Sequence, residues 1–202
     1  MHLAAFIAML VAGPLLVAAA PTTGSALVLS VYVLAILALF GVSAAFHRIT
    51  WQEASRRRMR RADHATIFLA IAGSYTAIAG LALTGWARWT ILGVAWIGAA
   101  AGITVRQMWL DAPKWAVAVP YVVVGWSALL VLPQLWRALG GSGFALVALG
   151  GLAYSTGAVV YALRRPDPSP QVFGYHEVFH ACTIVGAALH FAAIGIYALP
   201  RA

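Results

Sequence analysis

Polar residues in this chain are confined to short breaks between long apolar stretches, and that pattern sets the fold before any motif is read. Apolar runs of membrane-spanning length lie at Leu3–Ala20, Ala26–Phe46, Ala65–Thr84, Trp89–Val105, Trp115–Leu132, Phe144–Leu163 and Val178–Leu199. Each predicts a helix, because backbone groups in hydrocarbon need partners within their own segment and the runs lack the alternation of barrel strands. The connections are short, so residues 1–202 read as one domain. The expected fold is all-α, an integral membrane bundle of seven transmembrane helices.

Composition agrees. The chain is 63% hydrophobic and only 9% charged, against about 25% charged in soluble proteins. Thirteen Lys and Arg against five Asp and Glu give a formal charge of +8, but the bases lie between apolar runs, as topology signals do, and not in a nucleic-acid-binding patch. With seven crossings, one side carries Arg48, Arg56, Arg57, Arg58, Arg60, Arg61, Arg106, Lys114, Arg164 and Arg165, and the other only Arg88, Arg137 and Arg201. That bias predicts a cytoplasmic N-terminus in a cell membrane.

The first run ends in Val17-Ala18-Ala19-Ala20-Pro21, small residues like those before a signal-cleavage site. It lacks a basic lead-in and is long enough to span, so it reads as the first helix. Trp86, Trp89, Trp109, Trp115 and Trp136 fall near span ends, as interfacial belts do. Gly98 and Gly102 have small-xxx-small spacing and predict a close helix contact. Cys182 is the only cysteine, so a metal here would be held by nitrogen and oxygen.

Candidate chemistry gathers at one membrane depth. His176 and His180 are four residues apart on one helical face, which is metal-ligand spacing. An imidazole pair facing lipid is costly, so the pair should face inward. His47 closes the second run one turn after Ser43, and Asp63 opens the third. Parity of crossings brings these ends to the same face. Three neutral imidazoles with an open fourth position suit a catalytic Zn2+, with Asp63 either acting on its water, the reading favoured, or ligating the metal directly, and Ser43 hydrogen-bonding water or a substrate oxygen. Glu177, about 100 degrees round the helix from His176, is expected at the headgroup rim, and His64 at the interface, pointing elsewhere. His190 lies about 21 Å deeper along the same helix, too far for the same metal, and reads as a helix-to-helix hydrogen bond.

Three motifs in order also resemble a known family: Ser43-Ala44-Ala45-Phe46-His47-Arg48; Arg61-Ala62-Asp63-His64-Ala65-Thr66-Ile67-Phe68 with Gly73-Ser74-Tyr75-Thr76; and Phe173-Gly174-Tyr175-His176-Glu177-Val178-Phe179-His180 through Leu189-His190-Phe191. They are similar to the haemolysin III branch of the progestin and adipoQ receptor family, within a superfamily that includes alkaline ceramidases. The resemblance implies zinc near the cytoplasmic face on His47, His176 and His180, with Ser43 and Asp63 nearby. It suggests hydrolysis of an amide or ester bond in a lipid substrate drawn from the bilayer. The alternatives it carries are a non-catalytic receptor or stress sensor with structural zinc, and a membrane-permeabilising haemolysin.

Overall fold

The computed structural model describes residues 1–109 and 111–202, and among them it contains helices and no strand. Its helices are α1 (His2–Ala18), α2 (Thr23–Arg48), α3 (Glu53–Ala82), α4 (Gly85–Met108), α5 (Lys114–Gly125), α6 (Leu132–Leu163) and α7 (Tyr175–Ala192). A 3-10 turn over Trp126–Val131 joins α5 to α6, and α7 runs on through a π-helical turn at Ala193–Ala198.

Among the described residues five helical stretches are long and apolar enough to cross a membrane, with α1 a shorter apolar helix. Two features separate this number from the seven expected. α1 has 17 residues, the short end of the spanning range of about 17–25. Lys114–Leu163 forms a single 50-residue stretch, interrupted at Gly140, whose φ of 69° and ψ of 176° are not helical. Only glycine adopts that backbone readily. Trp126 Nε1 donates to Ser155 Oγ at 2.8 Å, whereas an unbroken helix would hold these residues about 43 Å apart. The chain therefore doubles back at Gly140, midway between them.

α3 is the central helix: 61% of its most apolar window is buried, against 17–39% for the other spanning stretches. Its start differs from expectation. The apolar run begins at Ala65, but α3 begins at Glu53, so the Arg56–Arg61 cluster rides on the helix and not in a loop. Asp63 and His64 consequently sit three turns inside α3.

Local signals explain the ends that matter. α2 starts at a capping box in which Thr22 Oγ1 accepts from Ser25 N and Ser25 Oγ accepts from Thr22 N, each at 3.1 Å. α7 starts where Gly174 N donates to Glu177 Oε2 at 2.9 Å and Tyr175 N donates to Asp167 Oδ1 at 2.8 Å. Two carboxylates thus satisfy N–H groups that a helix start leaves open, where the helix dipole favours negative charge. A Cβ on Gly174 would lie 2.7 Å from Asp167 Oδ1, so the close approach needs glycine.

Where the α5 helix gives way to the 3-10 turn, Tyr75 supplies the missing partners. Its hydroxyl donates to Gly125 O and accepts from Ala128 N at 3.0 Å, which satisfies backbone groups that would be costly in an apolar interior. All five tryptophans expected at the interface are exposed, from 52% to 70%.

The small-residue contact on α4 is present. A Cβ on Gly98 would lie 2.9 Å from Val124, and one on Gly102 would lie 2.2 Å from Phe68. Gly102→Leu should therefore destabilise the bundle by about 1–3 kcal/mol through overpacking, while Gly93→Leu, whose Cβ meets nothing within 4 Å, should be near neutral. Melting of both variants in one detergent checks this; equal melting temperatures would contradict it.

Candidate metal centre

The last turn of α2 and the first two turns of α7 bring three imidazoles together. His47 Nε2 and His176 Nε2 are 3.4 Å apart, and one nitrogen from each of His47, His176 and His180 lies within 4.8 Å of the others. Ring centroids are 5.0 Å apart for His47 and His176, 5.1 Å for His47 and His180, and 4.5 Å for His176 and His180. Zinc–nitrogen bonds of about 2.0–2.1 Å in tetrahedral geometry put ligand nitrogens about 3.3–3.4 Å apart. The His47–His176 pair already has that separation. The widest pair must close by a little over 1 Å, within reach of side-chain rotation. These residues therefore fit a divalent metal that prefers nitrogen, and among the described residues no carboxylate belongs to the tight group.

Asp63 and Ser43 stand beside it. Ser43 and Asp63 both line one cavity with His176 and His180. His47 is exposed and does not form part of that lining. The cavity, of about 170 Å³, runs inward between α3, α5, α6 and α7. Most of its wall is apolar, including Leu39, Ile67, Ile71, Val117 and Phe144, with Ser74, Tyr154 and His190 deeper in.

Two neighbours differ from the sequence expectation. His64 does not point away to the interface: it lines the cavity, and its Nδ1 accepts from Arg106 Nε at 2.7 Å. The cavity is wide enough for adjacent α3 residues, about 100 degrees apart, to reach it together. Arg106, counted among the topology bases, is only 4% exposed and also donates to Trp109 O at 2.6 Å. Glu177 Oε2 accepts from Gly174 N and so caps the start of α7. His190 behaves as expected, with Nε2 3.1 Å from Val147 O across the α6–α7 contact.

Sequence reasoning missed His2. Its ring stacks on His180 with centroids 3.9 Å apart and planes 21° apart, and it packs edge-on against Phe40 at 5.1 Å. No spacing rule links the second residue of a chain to one in its last helix, so only the fold discloses it.

The geometry defines a polytopic helical membrane protein with a three-histidine cluster at the mouth of an apolar cavity. The chain matches the family described as Haemolysin-III related over residues 1–191, and it belongs to that family, the haemolysin III branch anticipated from the three motifs. It is 31% identical to Hemolysin-3 of Bacillus cereus over 140 residues, covering 69% of this chain and 61% of that protein. It is 27% identical to a Hemolysin-3 homolog of Bacillus subtilis over 168 residues, covering 83% and 76%. Human monocyte to macrophage differentiation factor is 27% identical over 175 residues, covering 83% and 68%.

Three convergent nitrogens predict stabilisation by a divalent cation, because an ion that binds only the folded state adds about 2.7 kcal/mol at a hundred times its Kd. Wild-type protein in detergent should melt higher with Zn2+ than with chelator, and His176→Ala should lose that shift. An equal shift in the variant would place the binding elsewhere.

Proposed function

We propose that this protein is a multi-pass protein of the cell membrane, crossing it seven times from a cytoplasmic N-terminus, and a zinc-dependent hydrolase of a lipid amide or ester bond. The crossing count takes α1 as a span and divides Lys114–Leu163 at the Gly140 reversal. The basic residues on the side of the α2–α3 connection support the orientation.

The observation that carries the chemical reading is the meeting of three imidazole nitrogens, one carboxyl and one hydroxyl at the head of an apolar cavity. His47, His176 and His180 would hold the zinc, and Asp63 and Ser43 would work beside it. When bound by three histidines, zinc acidifies a water toward a pKa of about 7 and polarises a carbonyl. Asp63 takes the proton from the attacking water and returns it to the leaving group. The Ser43 hydroxyl donates to the oxygen on which charge develops at the scissile carbonyl. The apolar walls take the hydrocarbon of the substrate and keep bulk water from the reacting bond, so a lipid enters with its carbonyl at the histidines and its chain directed toward His190.

Hydrolysis of N-acyl lipids by the purified protein tests this reading. Activity should disappear with chelator and return with Zn2+. Asp63→Asn should lower kcat by about 10²–10⁴-fold, the usual contribution of a general base, while the protein still binds metal. Hydrolysis that survives chelation, or that is unchanged in Asp63→Asn, would contradict the mechanism.

A further inference from the structure

Arg106 is a buried cation whose partners are both neutral. It is 4% exposed; its Nε donates to His64 Nδ1 at 2.7 Å and its Nη1 donates to Trp109 O at 2.6 Å. The one ion pair among the described residues, Arg60 with Asp111 at 3.1 Å, does not include it. A buried charge left uncompensated is costly, so this end of the cavity favours negative charge close by.

The same contact fixes the state of His64. A guanidinium only donates, so His64 Nδ1 must accept, and the ring is then neutral with its proton on Nε2. Nε2 makes no hydrogen bond among the described residues and, unlike either ring nitrogen of His2, it is not sealed inside the protein. His64 lines the cavity with its chain neighbour Asp63. Its backbone is held as well, since the Tyr121 hydroxyl donates to His64 O at 3.2 Å. With one lone pair committed to Arg106 and the other nitrogen protonated, His64 can neither take up a proton nor bind a metal. What it offers the cavity is a single N–H, polarised by the cation bonded to the opposite nitrogen.

We infer that His64 is a fixed hydrogen-bond donor to a negatively charged oxygen in the cavity, the oxygen that gains charge when the substrate carbonyl is attacked, and that Arg106 is the residue that positions it. This deepens the hydrolase reading and rests on it for the identity of that oxygen. His64 then joins Ser43 in stabilising the oxygen, and Asp63 remains the only base of the three. A donor that needs no reorganisation as charge develops stabilises the transition state more than the uncharged substrate, and the Arg106 charge finds its counterpart only at that moment.

The test uses the full zinc-loaded chain in detergent, with dodecylphosphonate as an anionic tetrahedral probe and dodecanol as a neutral one. In protein carrying 15N-histidine, nuclear magnetic resonance should show His64, recognised by the signals lost in His64→Gln, as one neutral tautomer protonated at Nε2. Arg106→Lys, which keeps a donor, should preserve that tautomer, and Arg106→Met should let the proton appear on both nitrogens. His64→Phe should weaken equilibrium binding of dodecylphosphonate about ten- to a hundredfold, as for loss of one hydrogen bond to a charged group, and leave dodecanol binding unchanged. His64→Gln, which keeps an N–H, should recover part of the loss. In turnover His64→Phe should lower kcat by about 10²-fold, the usual effect of losing one such donor, and leave KM near the wild-type value. A proton on His64 Nδ1, His64 bonded to zinc, equal loss for both probes, no loss for the phosphonate or an undiminished kcat would each overturn the inference. The tautomer and the binding are read without turnover, so a wild type that holds the phosphonate through His64 and cleaves no lipid would sink the hydrolase reading and leave the donor standing.

Discussion

Two helix ends far apart in sequence, the C-terminus of α2 and the N-terminus of α7, are held so that imidazole nitrogens approach to 3.4 Å. The rest of the structure can be understood as what that approach requires. Polar groups in an apolar bundle are costly unless they find partners, so each helix that reaches the site carries its own means of satisfying them. Glu177 and Asp167 close the start of α7, and Trp51 Nε1 donates to Ala45 O at 3.2 Å beside the last turn of α2. Arg106, buried on α4, is held by His64 and Trp109 O. These contacts fix where each helix ends, and therefore at what depth His47, Asp63 and His176 stand.

The same constraint shapes the cavity. Its walls come from helices that interrupt regular geometry, and the interruptions are covered by side chains. Tyr75 answers both Gly125 O and Ala128 N where α5 changes to a 3-10 turn. Trp126 is tied to Ser155 across the Gly140 reversal. On the far side α6 can lie against α7 because Gly150 and Gly157 leave room for His190 and Cys182. The result is an apolar hollow with polar groups at two levels, the histidines at its mouth and His190 with Tyr154 and Ser74 deeper in.

Much of this was legible in the chain. The interval between His176 and His180 needs only the helical period, and the meeting of the end of the second apolar run with the start of the seventh was expected from the parity of the proposed crossings. Gly98 and Gly102 announced a close contact by spacing alone. Other features left no local mark. Hydropathy shows where lipid is but not where a helix begins, so α3 starts twelve residues before its apolar run and the Arg56–Arg61 cluster becomes helical. A buried arginine looks like a topology anchor until its partner, 42 residues away, is placed beside it. His2 has no periodic neighbour at all, and its place is disclosed only when the start of α1 meets α7. What escaped the sequence is long-range pairing of single polar residues, for which neither periodicity nor composition provides a signal.

One claim supports the others: that His47, His176 and His180 form the inner coordination sphere of a single divalent ion, with no carboxylate in it. X-ray absorption at the zinc edge on purified, zinc-loaded protein tests it directly. The account predicts one zinc per chain, with three imidazole nitrogens and one lighter oxygen ligand at about 2.0–2.1 Å, and loss of imidazole scattering in His47→Ala. A metal-free protein, or a zinc shell with fewer than three imidazoles that is unchanged in His47→Ala, would contradict it.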